Sequence, residues 1–130
     1  MKIAVITGAS SGMGKEFVLQ LSREKQLDEI WVIARRRERL EALQNEVSVK
    51  IRPVALDLTL DESIEEYRRL LEAEKPEVAI LVNASGVGRF GAFENMELET
   101  MYQMIDLNVK AYVGMTYATM PYLKEGSEVY

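Results

Sequence analysis

The chain has 130 residues, 48% of them apolar, and its 16 Lys and Arg against 21 Asp and Glu give a formal net charge of −5. This size fits one domain with a real core, and the lack of Cys and His excludes disulfides, thiolate or imidazole metal sites and Ser-His-Asp catalysis. The acidic balance argues against nucleic acid and membrane partners. No apolar run is long enough for a signal peptide or a membrane span. We therefore expect a soluble, cytoplasmic protein without a metal site.

Short apolar runs alternate with amphipathic stretches from the start of the chain. Lys2–Thr7 and Glu29–Ala34 are β-branched apolar runs that predict buried strands. Gly12–Glu24, which lies between them, spaces its apolar residues along one helix face. Arg36–Glu46 predicts a charged helix. Val47–Leu56 contains a third strand, and its proline predicts an edge position because proline cannot donate to a strand ladder.

The same alternation continues in the middle of the chain. Thr59 and Glu62 have the spacing of a capping box at the start of a helix that runs to about Glu74. Glu77–Val82 predicts a fourth strand that is almost wholly apolar, and a Gly-rich loop follows over Asn83–Glu94. The pattern is typical of a parallel sheet with helices on both faces.

The last segment completes this pattern. Glu97–Leu123 predicts a long helix, and Gly126–Tyr130 is predicted to start a fifth strand. We therefore expect an α/β, doubly wound parallel sheet that is truncated after its fourth helix. Any ligand should bind at the carboxyl ends of the strands.

The segment Thr7–Gly14 is the most informative part of the sequence, because it joins the first strand to the first helix and contains three glycines. Glycine suits a backbone that must bend sharply or approach a ligand, and the free N–H groups of a helix start favour a phosphate. Gly14 would allow the helix to pack close to the strand. A Gly-rich turn alone is more often a plain loop, but the order strand, turn, helix favours a dinucleotide-binding turn.

Gly8, Gly12 and Gly14 form T-G-x-x-x-G-x-G, and here the chain resembles the short-chain dehydrogenase/reductase family. Three further signals occur in family order: A-L-D-L-T after the third strand, N-A-S-G after the fourth, and D-L-N in the long helix. An extended-type epimerase relative is the weaker alternative, because its Gly turn has a different spacing. The resemblance covers the whole chain and implies one Rossmann-type dinucleotide-binding domain over residues 1–130, incomplete toward its C-terminus, with strand order 3-2-1-4 and the start of 5.

The resemblance also implies roles for individual residues. Asp57 would accept a hydrogen bond from the adenine amino group, with a turn aspartate beside Thr59 as the alternative. Ala84 stands where the family commonly has a second Asn, which removes a side-chain bond between neighbouring strands. Asn108 is the catalytic candidate, as holder of a relay water, with an exposed helix Asn as the alternative. The candidate cofactor-binding residues are Gly8, Ser10, Ser11, Gly12, Met13, Gly14, Arg35, Arg36, Asp57, Leu58, Asn83, Ala84, Ser85 and Gly86.

The end of the second strand predicts which nicotinamide cofactor is preferred. An acidic residue about 20 positions after the Gly turn would bind the ribose 2′-hydroxyl of NAD. Ala34 stands there instead, and Arg35 and Arg36 follow it. A guanidinium can bind a 2′-phosphate through charge-assisted hydrogen bonds, so we expect NADP(H) to be preferred over NAD(H). Arg35 is the first candidate for this phosphate contact and Arg36 the second. The alternative is a solvated basic helix start, which leaves positive charge at the unfavourable end of the helix dipole.

The proton-transfer residues of the family are missing from this sequence. The family uses a Ser and a Tyr-x-x-x-Lys pair, and no tyrosine here has a lysine four residues later. The resemblance implies an NADP(H)-dependent oxidoreductase that moves a hydride between the nicotinamide and an alcohol or carbonyl substrate, while this chain alone is expected to be inactive. A non-catalytic nucleotide-binding half-domain that pairs with a partner chain is the alternative. Residues 97–123 are also candidates for a homo-oligomer contact.

Overall fold

The computed structural model describes residues 1–86 and 91–130. Its strands are β1 Lys2–Thr7, β2 Glu29–Ala34, β3 Lys50–Ala55, β4 Glu77–Val82 and β5 Leu123–Val129. Its α-helices are α1 Gly12–Glu24, α2 Arg37–Ala42, α3 Asp61–Glu74, α4 Leu98–Ile105 and α5 Ala111–Thr119. The predicted Gly-rich loop includes residues 87–90, which lie outside the described residues. No helix among the described residues is both long and apolar enough to cross a membrane.

The five strands form a parallel sheet in the order β3-β2-β1-β4-β5, which confirms the predicted fold class. Val5 in the central strand β1 pairs with Trp31 of β2 on one side and with Leu81 of β4 on the other. Residues Ile3 to Thr7 of β1 are buried, as expected for a strand that is covered on both faces. The carboxyl ends of β1, β2 and β4 therefore meet at one edge of the sheet.

Alternate residues of each strand point into one of two separate cores. Ile3 and Val5 of β1 belong to a cluster that α3 and α5 cover, and this cluster contains the buried Trp31, Tyr67 and Met115. On the other face, Ala4 and Ile6 of β1 belong to a cluster that α1 and α2 cover, together with Val18, Leu21, Ile30, Val32 and Leu40. The sheet is thus packed between two helical layers.

Strand β3 lies at the outer edge of the sheet, as its proline predicts. Pro53 pairs with Val32 of β2, the one neighbour of β3. Lys50 Nζ lies 3.0 Å from the carboxylate of Glu29, and the Arg52 guanidinium stacks over Trp31 at 5.1 Å from the ring centroid. Burial opposes the charged form of Glu29, but Lys50, the indole N–H of Trp31 and Arg52 together hold the pKa of Glu29 below its usual value.

Three local predictions were incomplete or wrong. Strand β5 begins at Leu123, not at Gly126. The capping box does not form, because α3 begins one residue later than predicted: Leu60 is its N-cap residue, without a side-chain capping bond, and Thr59 lies in the preceding turn, where its hydroxyl donates to Asp57 Oδ1 at 2.6 Å. The long helix contains a π-helical segment over Asp106–Lys110, between α4 and α5, which hydrophobic spacing did not predict.

A hydroxyl pair is buried between α3 and α5. Tyr67 is fully buried, and its hydroxyl lies 2.8 Å from Thr119 Oγ1, which donates to the Met115 carbonyl at 2.7 Å. Burial raises the pKa of Tyr67 well above its ordinary value. The phenol stays neutral in the folded protein at a pH where the unfolded chain already loses that proton.

We therefore expect the buried Tyr67 to lower the free energy of unfolding as the pH rises above about 10, because a tyrosine in the unfolded chain ionises there. Tyr67→Phe should lower the free energy of unfolding by about 1 kcal/mol at neutral pH, since one hydrogen bond is lost. It should also make the alkaline decline in that free energy shallower. Urea unfolding at several pH values measures both effects, with the exposed Tyr117→Phe as the matched control. Equal alkaline declines in the two variants would contradict this role of Tyr67.

Candidate functional site

A cleft of about 510 Å³ lies at the carboxyl edge of the sheet, where sequence reasoning expects a ligand. Most of the predicted binding residues line it. They are Gly8, Ser10, Ser11, Gly12, Met13, Arg35, Arg36, Asp57, Leu58, Ala84, Ser85 and Gly86. Gly14, Asn83 and Asn108 do not line it. The lining also includes six residues that were not predicted to bind a ligand: Ala34, Arg39, Leu56, Thr59, Gln103 and Leu107.

The Gly-rich turn makes close backbone contacts on both of its sides. Gly8 has a φ of +62°, and a Cβ on it would lie 2.5 Å from the carbonyl oxygen of Ala84. A Cβ on Gly14 would lie 2.2 Å from the carbonyl oxygen of Gly8. Gly14 therefore supports the turn from behind, as its predicted packing role requires, while Gly8 brings the turn against the segment that follows β4.

The N-terminus of α1 is open to the cleft. Ser11 is its N-cap residue, and no side-chain capping bond and no acidic residue in the first turn is found within this fully described helix. Ser11, Gly12 and Met13 line the cleft at this point. The first N–H groups of a helix have no partner within the helix, and its dipole favours negative charge there. The turn can therefore accept an anionic group.

Thr7 connects the turn to the segment after β4. Its side chain is buried, and its Oγ1 accepts hydrogen bonds from the backbone N–H groups of Ala84 at 3.0 Å and Ser85 at 3.1 Å. The Thr7 hydroxyl donates to the carbonyl of Val82 at 3.4 Å. The Thr7 side chain thus links the turn to the segment after β4 through backbone N–H groups, and this link does not depend on the side chain at position 84.

Asp57 lies on the cleft wall that follows β3. Its Oδ1 accepts hydrogen bonds from the backbone N–H of Thr59 at 3.0 Å and from the Thr59 hydroxyl, as a turn aspartate would. Its backbone carbonyl accepts a hydrogen bond from Ser63 Oγ at 2.6 Å. These bonds fix the orientation of the carboxylate, which is also part of the cleft lining. The turn role and a ligand contact are therefore compatible in geometry.

Arginines form the wall of the cleft beyond β2. Arg35, Arg36 and Arg39 all line it, whereas Arg37 does not. In the part of the chain that the structure describes, no carboxylate lies within 4.0 Å of any of these guanidinium nitrogens. Asp57 is the one carboxylate among the lining residues, so this end of the cleft has a net positive charge. It is suited to a phosphate.

The two predicted asparagines lie behind the cleft wall. Asn83 Nδ2 donates to Thr116 Oγ1 of α5 at 3.2 Å, and its backbone N–H donates to the carbonyl of Tyr130. Its Oδ1 is buried without a hydrogen-bond partner among the described residues. Asn108 lies in the π-helical segment, and its Oδ1 is 2.9 Å from the position that a Cβ on Gly86 would occupy. The Asn108 side chain thus lies against Gly86, and the Asn83 side chain connects the start of this segment to α5.

Gln103 and Leu107 extend the cleft lining from the long helix. They come from α4 and from the π-helical segment, far along the chain from the Gly-rich turn. Their spacing of four residues places both on one helix face, but nothing local in the sequence indicates that this face meets the cleft. Arg39 lies in α2, whereas Arg35 precedes that helix, so helical spacing does not relate the two arginines.

Comparisons with known proteins agree with this arrangement. The profile of a family described as short chain dehydrogenase matches residues 2–129. An uncharacterized oxidoreductase of Staphylococcus epidermidis is 29% identical over 126 residues, which are 97% of this chain and 54% of that protein. The chain thus spans about half the length of the curated relatives it matches.

Two solved structures show the same fold. An alcohol dehydrogenase from the archaeon Thermococcus sibiricus, complexed with 5-hydroxy-NADP, has a TM-score of 0.84 at 31% identity, covering 97% of this chain and 55% of that one. A short-chain dehydrogenase from Sphingobium yanoikuyae, in complex with NADPH, has a TM-score of 0.81 at 27% identity, covering 93% and 48%. Since the family profile spans nearly every residue, the chain belongs to the short-chain dehydrogenase/reductase family of oxidoreductases.

Proposed function

We propose that residues 1–130 form the cofactor-binding part of an NADP(H)-dependent oxidoreductase. The observation that supports this most strongly is the lining of the cleft. An open helix N-terminus lies at one place, and three arginines lie at another, where no acidic residue of the segment after β2 is among the lining residues. A dinucleotide with an additional phosphate carries negative charge at both of these places. The residues of the cleft therefore fit NADP(H) in charge and in type.

Each wall of the cleft would hold a different part of this cofactor. The backbone from Ser10 to Met13, at the start of α1, would bind the pyrophosphate. Asp57 and Leu58 would contact the adenine. The segment from Asn83 to Gly86 would pass along the nicotinamide ribose.

The arginines support a preference for NADP(H) over NAD(H). Arg35 and Arg36 would bind the 2′-phosphate by charge-assisted hydrogen bonds, and Arg39 adds a third positive charge to the same wall. An acidic residue in place of Ala34 would repel that phosphate. The Thermococcus sibiricus and Sphingobium yanoikuyae proteins, which were solved with NADP-type cofactors, support the same preference.

The bound nicotinamide would exchange a hydride with the carbon of an alcohol or carbonyl substrate. The residues of this chain would bind and orient that cofactor and keep the wall beside Gly86 in place. Asn108 would act as a positioning residue that holds a relay water near this wall. The Ser and the Tyr-x-x-x-Lys pair that the family uses for proton transfer are not in this sequence, so we expect the 130-residue chain to bind cofactor without turnover.

Isothermal titration calorimetry of the chain with NADPH and with NADH tests this proposal. We expect NADPH to bind at least about tenfold more tightly, because charge-assisted hydrogen bonds to the 2′-phosphate are lost with NADH. Adenosine 2′,5′-diphosphate should compete with NADPH better than adenosine 5′-diphosphate does. No binding of either dinucleotide, or clear turnover of an alcohol or ketone by this chain alone, would contradict the proposal.

We also propose that a second copy of the chain packs on the long helix. Its outer face carries a continuous row of large apolar side chains, each more than half exposed: Leu98, Tyr102, Ile105, Val109, Val113, Tyr117 and Met120. An apolar row of this length is self-complementary when two copies meet about a two-fold axis. Sedimentation velocity should show a dimer or larger species that Val113→Glu converts to monomer. A monomeric wild-type chain at micromolar concentration would contradict this contact.

A further inference from the structure

Met13 differs from the other methionines in exposure and in position. It is 75% exposed, compared with 61% for Met120 and 47% for Met1, while Met115 is fully buried. It lies in the first turn of α1 between Gly12 and Gly14 and lines the cleft. The sequence has no cysteine, so methionine thioethers are its sulfur groups open to oxidation. The most exposed of these four methionines therefore lies in the phosphate-binding turn.

We infer that Met13 is an oxidation site that couples peroxide exposure to cofactor affinity. In this reaction the Met13 sulfur takes an oxygen atom from hydrogen peroxide, whose O–O bond breaks. The thioether is oxidised to the sulfoxide and the peroxide is reduced to water. The product is reversible by methionine sulfoxide reductases, so the change can act as a switch. The effect on affinity rests on the proposed cofactor function, whereas the oxidation itself does not.

The position of the sulfur explains why the sulfoxide should weaken binding. A thioether is apolar and adaptable, and it can pack against a bound dinucleotide where the cleft meets α1. A sulfoxide adds a strong acceptor oxygen at a place that is suited to the phosphates, which are acceptors themselves. On binding, the sulfoxide oxygen would lose its hydrogen bonds to water and gain no donor in exchange. This loss costs free energy and weakens binding. A bound dinucleotide should also cover the sulfur and slow its oxidation.

Peptide mass spectrometry after timed hydrogen peroxide treatment tests the site directly. Cleavage after lysines gives the peptide of residues 3–15, which contains Met13 alone, and the peptide of residues 111–124, which contains Met115 and Met120. The treatment uses the monomeric Val113→Glu variant, in which the proposed contact between copies cannot cover Met120, and we expect Met13 to be oxidised before Met120 and long before the buried Met115. Oxidation of Met120 at the same rate as Met13 or faster would overturn the site.

Calorimetry with NADPH on treated and untreated protein tests the coupling. We expect oxidation of Met13 to raise the Kd for NADPH about tenfold, and NADPH to slow the oxidation of Met13 but not of Met120. In Met13→Leu, peroxide should leave the Kd equal to that of the same untreated variant, while Met120→Leu should still respond as wild type does. An unchanged Kd after full oxidation of Met13 would overturn the coupling. If untreated protein binds no NADPH, the proposed function fails, and the order of methionine oxidation alone then decides whether Met13 is an oxidation site.

Discussion

Replacing Gly14 with alanine should lower the free energy of unfolding by about 3 kcal/mol and abolish measurable NADPH binding. A Cβ at this position would lie 2.2 Å from the carbonyl oxygen of Gly8, 2.6 Å from its carbonyl carbon and 3.0 Å from the carbonyl oxygen of Thr7. All three atoms are backbone, so no side chain can rotate away to relieve the clash. Helix α1 would have to move from β1, and the turn would lose its shape.

Gly12→Ala is the matched control for this clash. A Cβ on Gly12 would meet no described atom within 4 Å, and the variant carries only the strain of a φ of +57°. We expect a loss of about 1 kcal/mol, since that is the usual cost of a left-handed conformation for an L-residue. Urea unfolding measures both values. If the two variants lose the same stability, the clash with Gly8 does not govern the packing of α1.

Arg35→Glu should raise the Kd for NADPH about 100-fold and change the Kd for NADH by less than about threefold. A charge-assisted hydrogen bond contributes about 1.5–3 kcal/mol, and the introduced carboxylate adds repulsion of the 2′-phosphate. A dinucleotide that lacks this phosphate would be nearly insensitive to the change. Calorimetry with both cofactors at fixed ionic strength gives the two ratios, and added salt should reduce the NADPH effect because these side chains are exposed.

Arg37→Glu provides the control for this charge reversal. Arg37→Glu changes the net charge by the same amount as Arg35→Glu. Arg37 is exposed and lies two residues from Arg35, but it does not line the cleft. We expect the Kd for NADPH to rise no more than about threefold, which is the effect of long-range charge alone. Arg36→Glu should give an intermediate loss. Equal losses for NADPH and NADH in Arg35→Glu would remove this residue from the phosphate site.

Much of the fold could be predicted because hydrophobic runs and turn residues are local signals. The apolar runs that became β1, β2 and β4 have no competing interpretation, and Pro53 indicated the edge position of β3 before its neighbours were known. The capping box was wrong because α3 begins one residue later than the spacing implies. Leu60 is the N-cap residue and offers no side-chain oxygen to the first N–H groups, while the Thr59 side chain and backbone are held by the carboxylate of Asp57 in a turn before the helix. Spacing alone does not indicate that this turn shifts the start of the helix.

The candidate site was predictable only where its residues follow one another in sequence. The Gly-rich turn and the arginines after β2 are contiguous motifs, and the structure places them in one cleft. Gln103 and Leu107 reach the same cleft through the packing of a distant helix. The hydroxyl of Thr7 accepts hydrogen bonds from the backbone of Ala84 and Ser85, which are more than seventy positions away in the chain. Such long-range contacts leave no periodic signal in a single sequence.

The outer edge of the sheet has a consequence for how copies of this protein meet. An exposed edge strand offers unpaired N–H and C=O groups that can recruit strands from other molecules, and natural proteins block this with prolines and charges. On β3, Pro53 lacks a donor, while Lys50 and Arg52 are drawn back toward β2 by Glu29 and Trp31. Open-ended fibre growth from this edge is therefore disfavoured. The contact that we propose between copies lies instead on the apolar face of the long helix, where a two-fold arrangement closes on itself.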